Sequence, residues 1–245
     1  MKMIPVALQL WSVHEDLRRD FAATCRAIRR IGYHGVELAG FAGLDAAGVR
    51  AILDGSGLVA AGMHVPHDRL QSGVDAVVAE ARTLGTRHVT CASWPARDFV
   101  STASCEAVGK KLDAIGSALR SAGLRFTYHN HAAEARDVKG HTVFDRLLAA
   151  TSPENLAAEP DVYWLHVGGC SPEKFIRKHD ARVPLIHLKD QKELGSGPVD
   201  FPAVLSAIDS AAGVEWLIVE QETFDRAPLE SVARCFEQLR AWGRI

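Results

Sequence analysis

Eleven of the 245 residues are histidines, and several stand close to carboxylates in a few short segments. Tyr128-His129-Asn130-His131 runs on to Glu134, Glu159 and Asp161 precede Trp164, and His187-Leu188-Lys189-Asp190 and Glu220-Gln221-Glu222 follow. Earlier in the chain come Glu37 and the group His64, His67, Asp68. Imidazoles and carboxylates are the side chains that hold divalent cations and move protons near neutral pH. One histidine with three carboxylates, from Glu134, Asp161, His187 and Glu220, makes an N1O3 donor set. Such a set suits Mn2+, Mg2+, Co2+ or Zn2+, with positions left open for a substrate. His129 and His131 read equally as a metal pair or as a hydrogen-bonding wall. Trp11 and Trp164 read as packing around the same site or as walls for the apolar face of a polyol.

These residues need elements that bring them together. Eight short apolar runs recur along the chain: Pro5 to Leu10, Gly35 to Leu38, Val59 to Met63, His88 to Cys91, Leu124 to Tyr128, Leu156 to Glu159, Pro184 to Leu188 and Trp216 to Val219. They read as buried strands, and the segments between them carry apolar residues at helical spacing, such as Phe21, Cys25, Ile28 or Val74, Val77, Val78, Ala81, Leu84. Asp20, Asp45, Ser72, Thr142 and Ser171, the last before Pro172, sit where helix N-caps belong; Gly32, Gly85 and Gly123 sit where helices end. Eight alternations of strand and helix predict an α/β fold, a (β/α)8 TIM barrel forming one domain over residues 1–245. An open doubly wound sheet normally carries a Gly-rich fingerprint, and neither G-x-G-x-x-G nor G-x-x-x-x-G-K-[ST] occurs.

In such a barrel the active site lies at the C-terminal ends of the strands, which is where the polar segments fall. Alternation in the seventh strand puts His187 and Lys189 on one face and Leu188 on the other. A buried lysine beside a histidine requires anions nearby, and carboxylates of neighbouring strands are the available ones. His64 and Glu37, with His131, Trp11 and Trp164, are expected as substrate contacts at this mouth. His14, His34, His141 and His179 are expected at the surface, and His88 and His166 have no assignable role.

Composition narrows the function further. Lys and Arg number 28 against 30 Asp and Glu, so no basic excess suggests nucleic acid as a partner. No apolar stretch approaches a membrane span, and the opening MKMIPVALQL breaks at Gln9 without a cleavage site, so no signal peptide is read. Five widely spaced cysteines with no CxxC predict reduced, mostly buried thiols in a cytoplasmic protein.

The motifs resemble the sugar phosphate isomerase/epimerase family with the xylose isomerase-like TIM barrel, which includes inosose dehydratases, hydroxypyruvate isomerases and ketose 3-epimerases. Ala7-Leu8-Gln9-Leu10-Trp11-Ser12-Val13, Gly35-Val36-Glu37-Leu38, Tyr128-His129-Asn130-His131, Asp161-Val162-Tyr163-Trp164, the segment from Arg182 to Asp190 and that from Glu215 to Gln221 carry it. The resemblance implies one divalent metal ion, Mn2+ foremost, held by Glu134, Asp161, His187 and Glu220. It further implies a carbohydrate-metabolising enzyme that removes a proton next to a carbonyl of a ketose, keto-inositol or oxidised sugar through an enediolate. Glu134 and Glu220 would double as acid and base, with Lys189 or His129 stabilising the oxyanion. The chain departs from the family at Ala132-Ala133, where Asp-Phe is common, and at Ser196 in the Gly195 to Phe201 loop, where an acidic residue is usual. A lyase or dehydratase is the near alternative, since an enediolate with a β-leaving group eliminates. An endonuclease IV-like phosphodiesterase would need more metal ligands and a basic groove, and a non-catalytic barrel would have lost its metal. A small sugar or polyol, no nucleic acid, no membrane and a homodimer joined through barrel helices complete the expectations.

Overall fold

The computed structural model describes residues 3–245; Met1 and Lys2, on which part of the leader reading rests, lie outside the described residues. Eight strands run parallel: β1 Val6–Gln9, β2 Gly35–Leu38, β3 Val59–Val65, β4 His88–Cys91, β5 Arg125–His129, β6 Ala157–Glu159, β7 Leu185–Leu188 and β8 Trp216–Val219. Their order is β6-β5-β4-β3-β2-β1-β8-β7. The gap between β6 and β7 is bridged just beyond β6, where Asp161 pairs with His187 and the His187 N–H donates to the Pro160 carbonyl at 3.0 Å. A TIM barrel results, and its seam is closed by two of the residues singled out for chemistry.

One principal helix follows each strand: α1 Phe21–Ile31, α2 Ala46–Ser56, α3 Asp75–Leu84, α4 Thr102–Ser121, α5 Val143–Ala149, α6 Pro172–Lys178, α7 Phe201–Ser210 and α8 Pro228–Ala241. Asp20, Asp45, Thr142 and Ser171 cap α1, α2, α5 and α6 with their side chains. Ser72 does not cap. It closes the short helix His67–Ser72, and α3 starts at Asp75 after an uncapped Val74. No helix among the described residues is long and apolar enough to cross a membrane.

The period-2 geometry of the strands sorts their side chains. Val6, Leu8, Val36, Leu38, Val89, Phe126, Tyr128, Ile186, Leu188, Leu217 and Val219 belong to the large apolar core shared with the helices. Ala7, Ala61, Leu185 and Ile218 form a separate small cluster, the apolar floor of the barrel interior. One step of two residues further along β1, β7 and β8 come Gln9, His187 and Glu220, all buried. The barrel interior therefore turns from apolar to polar within one layer. Alternation keeps both layers on the interior face, and the residue types at those positions make the change.

Candidate metal centre

Glu37 enters the polar layer from β2, where the pairing register with β3 shifts between Val36 and Glu37. A bulge re-aims a side chain, and Gly62 opposite makes room: a Cβ there would lie 2.8 Å from Glu37 Oε1. Glu37 Oε2 accepts from Gln9 Nε2 at 2.7 Å and lies 2.7 Å from His187 Nε2. Glu159 comes in from β6, its Oε2 accepting from Thr90 at 2.6 Å and Thr127 at 3.3 Å. His187 Nε2 is also 2.9 Å from Glu159 Oε1, but its single N–H aligns with Glu37, and Glu159 Oε1 is left without a hydrogen bond. Gln9, Thr90 and Thr127 escaped sequence reasoning. Their signal was a polar residue interrupting a buried strand.

Above this layer, His129, Asp161, His187 and Glu220 bring four donor atoms within 4.8 Å of one another. His187 Nδ1 lies 3.3 Å from Glu220 Oε2 and 4.0 Å from Asp161 Oδ2, and His129 Nε2 lies 3.7 Å from Asp161 and 3.9 Å from Glu220. Asn130 Oδ1 accepts the Asp161 N–H at 2.9 Å, and Asp161 Oδ1 accepts the Trp164 N–H at 2.8 Å, which turns Oδ2 into the cluster. Burial, together with the neighbouring His187, His131 and His64, holds His129 well below the usual imidazole range and therefore neutral. Its Nδ1–H is directed to the Ala92 carbonyl at 3.3 Å, so Nε2 carries a lone pair with no donor to meet it. A buried lone pair facing two carboxylates is costly without a cation between them. The residues thus fit a divalent ion.

The remaining charges agree with that fit. Burial alone would lower the His187 pKa, but Glu159, Glu220 and Glu37 overcome it and hold the ring well above its usual value. His64 is raised in the same way, to about 10, by Glu37 and Glu159. Burial pushes Asp161 up to about 7, with Lys189 opposing and Glu220 adding to the rise. Burial would also raise Glu220, but His187 and Lys189 hold it well below the usual range. Lys189 is itself buried, with Nζ 3.4 Å from Glu220, in contact with Glu222, and 5.0 Å above the Trp164 ring.

Glu134 lies elsewhere than expected. It belongs to neither group of convergent donors; Tyr128 OH donates to its Oε1 at 2.7 Å and the His131 N–H to its Oε2 at 2.9 Å. Tyr128 points outward from β5 into the helix layer, and Glu134 joins it there. As the third residue of the one-turn helix Ala132–Ala135, it folds back on the helix start, as an N3 glutamate does in a capping box. The donor that β5 contributes to the cluster is His129, which makes the set N2O2.

A cavity of about 510 Å³ opens above the cluster, lined by Trp11, His64, Arg69, His129, His131 and Glu220 among others. Glu37, Trp164 and Lys189 are not among the lining residues but touch ones that are: Glu37 meets His64, Trp164 meets His131 and Lys189 meets Glu220. Trp11 is half-exposed and stacks on His14, their ring centroids 4.6 Å apart. His34 and His141 are exposed. His179 is not at the surface as expected, because Asp145 draws its Nε2 to 2.8 Å under the α5–α6 edge. His88 has a partner at the opposite end of the barrel, where its Nε2 lies 2.9 Å from Glu215. Around the Gly195 to Phe201 loop, Asp190 accepts the N–H groups of Gly195 and Gly197 at 3.1 and 2.9 Å, so an internal carboxylate organises the loop.

Residues 25–241 match the family model described as xylose isomerase-like TIM barrel. Among curated proteins, an inosose dehydratase of Geobacillus thermodenitrificans (strain NG80-2) is 24% identical over 135 residues, a match that spans 45% of this chain and 45% of that protein. Among solved structures, a sugar phosphate isomerase/epimerase from Parabacteroides distasonis ATCC 8503 superposes with a TM-score of 0.90 at 21% identity, over 100% of this chain and 96% of that one. A D-allulose 3-epimerase from Methylomonas sp. has a TM-score of 0.76 at 11% identity, over 100% and 99% of the two chains. These likenesses between structures concern the fold.

Proposed function

Because the chain belongs to the xylose isomerase-like TIM barrel family, we propose that it is a divalent-metal-dependent sugar isomerase or epimerase working by proton abstraction next to a carbonyl. The observation that carries this reading is the convergence of His129, Asp161, His187 and Glu220 beneath an open cavity. An N2O2 set suits Mn2+, Co2+ or Zn2+ better than Mg2+, which prefers oxygen. A cation bound there would polarise the carbonyl and neighbouring hydroxyl oxygens of a bound sugar.

The chain's own residues account for the proton. Glu220 lines the cavity, and Lys189 and His187 keep it ionised, so it is the base that removes the α-proton to give an enediolate. Lys189 touches Glu220 and Glu222 without lining the cavity, and so acts as a positioning residue. With Glu134 held by Tyr128 and His131, the second proton passes through a different group, for which we assign His131, one of the titratable side chains that line the cavity with His64 and Glu222. If the enediolate carries a β-hydroxyl, its expulsion gives a dehydratase; the likeness to an inosose dehydratase favours this as the second reading.

The substrate is a ketose, keto-inositol or oxidised sugar without phosphate. Among the described residues, Arg69 is the one Arg or Lys lining the cavity, and Glu80 engages it through both oxygens at 2.9 and 3.0 Å. No cation there is left over for a phosphate dianion. Incubating Mn2+-loaded protein in D2O with ketoses, keto-inositols and their phosphates tests the whole reading. Deuterium is expected at the α-carbon of an unphosphorylated substrate, with Glu220→Gln slower by about 100-fold or more. Undiminished exchange in that variant, or none with any compound, would refute it.

A further inference from the structure

His187 has two ring nitrogens, and each faces a different group of donors. Nδ1 looks outward to Asp161 and Glu220, while Nε2 looks inward to Glu37 and Glu159, with His64 alongside. Glu37, His64, Glu159 and His187 form a second set whose donor atoms all lie within 4.8 Å of one another. From this geometry we infer a second divalent-cation site deeper in the barrel, held by Glu37, His64 and Glu159 and sharing His187 with the outer cluster through an imidazolate bridge.

Three observations carry it. The first is spacing: His187 Nε2 to Glu37 Oε2 is 2.7 Å, His187 Nε2 to Glu159 Oε1 2.9 Å, His64 Nε2 to Glu37 Oε2 3.1 Å and His64 Nε2 to Glu159 Oε1 3.8 Å. Ligands at about 2.0–2.2 Å from one ion stand about 3–3.5 Å from each other, so these separations bracket those of a coordination shell. The second is unmet hydrogen bonding. Glu159 is fully buried, its Oε2 is fixed by Thr90 and Thr127, and its Oε1 points into the set without a hydrogen bond. His64 Nε2 is likewise unpartnered, despite its closeness to Glu37. The third is charge. Glu37, Glu159, Asp161 and Glu220 are all at most 5% exposed around one buried lysine, Lys189. A single cation in the outer cluster faces Asp161 and Glu220, while Glu37 and Glu159 have beside them the His64 and His187 rings, the same groups that would join them in holding an inner divalent ion.

The bridge balances when both nitrogens of His187 bind: the ring gives up its last N–H proton to solvent as the inner cation enters, and the hydrogen bond to Glu37 is replaced by two metal bonds. Placed below the outer ion, the inner one would hold in place His187 and Glu37, which do not line the cavity, and His64, which does.

Metal-stripped protein titrated with Mn2+ by equilibrium dialysis, with elemental analysis and electron paramagnetic resonance, is the test. The parent is expected to saturate at two equivalents, with the spectrum of the doubly loaded protein broadened by spin coupling. Glu159→Gln and His64→Ala should each saturate at one, unbroadened, and Asp161→Asn should keep the equivalent that those two lose. A parent that stops at one equivalent, lost in Asp161→Asn and kept in Glu159→Gln, overturns the inner site and leaves the proposed function standing. One equivalent lost in Glu159→Gln and kept in Asp161→Asn would instead remove the outer site on which that function rests. Circular dichroism verifies the fold of each variant, and His64→Ala decides alone if Glu159→Gln does not fold.

Discussion

His129 and Glu134 lie within one short segment yet on opposite sides of the barrel wall, and alternation along β5 makes the difference. Tyr128 faces the helices and takes Glu134 with it; His129 faces the interior and meets Asp161 and Glu220. Asp161, His187 and Glu220 were legible in the sequence because each stands within two residues of a strand's end. Glu134 misled because a carboxylate matched the expected donor type. The His131-x-x-Glu134 spacing at a helix start was the signal that it would fold back on the backbone. The protonation states give a prediction at this scale. Without a cation, Asp161 sits near 7 and His187 is held protonated, and a cation requires both in their basic forms. Binding therefore releases protons and strengthens as pH rises. Calorimetric titration with Mn2+ in buffers of different ionisation enthalpy should show net proton release at about pH 7, and affinity at least about tenfold higher near pH 8 than near pH 6. An affinity independent of pH would contradict the assignment.

Elements place these residues through contacts that periodicity does not reveal. Glu159 depends on where β6 begins, and that start is clamped to α4: Asn155 Nδ2 donates to Asp113 at 3.0 Å and its Oδ1 accepts from Arg120 at 3.0 Å. Gly116 lies between those two anchors, and a Cβ there would meet the Asn155 carbonyl oxygen at 1.8 Å. Glycine in an ordinary helix interior is a liability of about 0.5–1 kcal/mol relative to alanine, but here it permits the close approach. Gly116→Ala is expected to destabilise the protein by about 1–3 kcal/mol through overpacking, read by urea unfolding; a gain in stability would show that the β6 start is not held this way. The sequence marked α4 by its apolar periodicity and β6 by a short run ending in Glu159. The clamp between them joins residues of the helix to a loop, and neither pattern encodes it. Ser72 misled for a related reason, since a residue type that favours caps also ends the short helix His67–Ser72.

Across the whole molecule the two ends of the barrel do different work. At the N-terminal end, Glu215 receives Arg125 at 2.8 Å and His88 at 2.9 Å, with Arg87 also in contact, and burial holds His88 below its usual pKa despite Glu215. This end supports the fold and lies away from the cavity. Glu215→Ala should cost about 1–3 kcal/mol by leaving His88 Nε2 unpartnered, lowering Tm by roughly 2–4 °C for each kcal/mol, with metal content unchanged; loss of metal would mean that the ends are coupled. The barrel itself was legible because eight apolar runs recur with helices between them. Its seam was not, because Asp161 and His187 close it through a single bridge that no sequence pattern announces. In the proposed function the C-terminal end holds a cation between His129, Asp161, His187 and Glu220, with Glu134 outside. Elemental analysis of Mn2+-saturated parent, Asp161→Asn and Glu134→Gln tests it most directly. Asp161→Asn is expected to lose an equivalent of metal which Glu134→Gln retains; a parent without metal, or loss in Glu134→Gln with retention in Asp161→Asn, would contradict this ligand set.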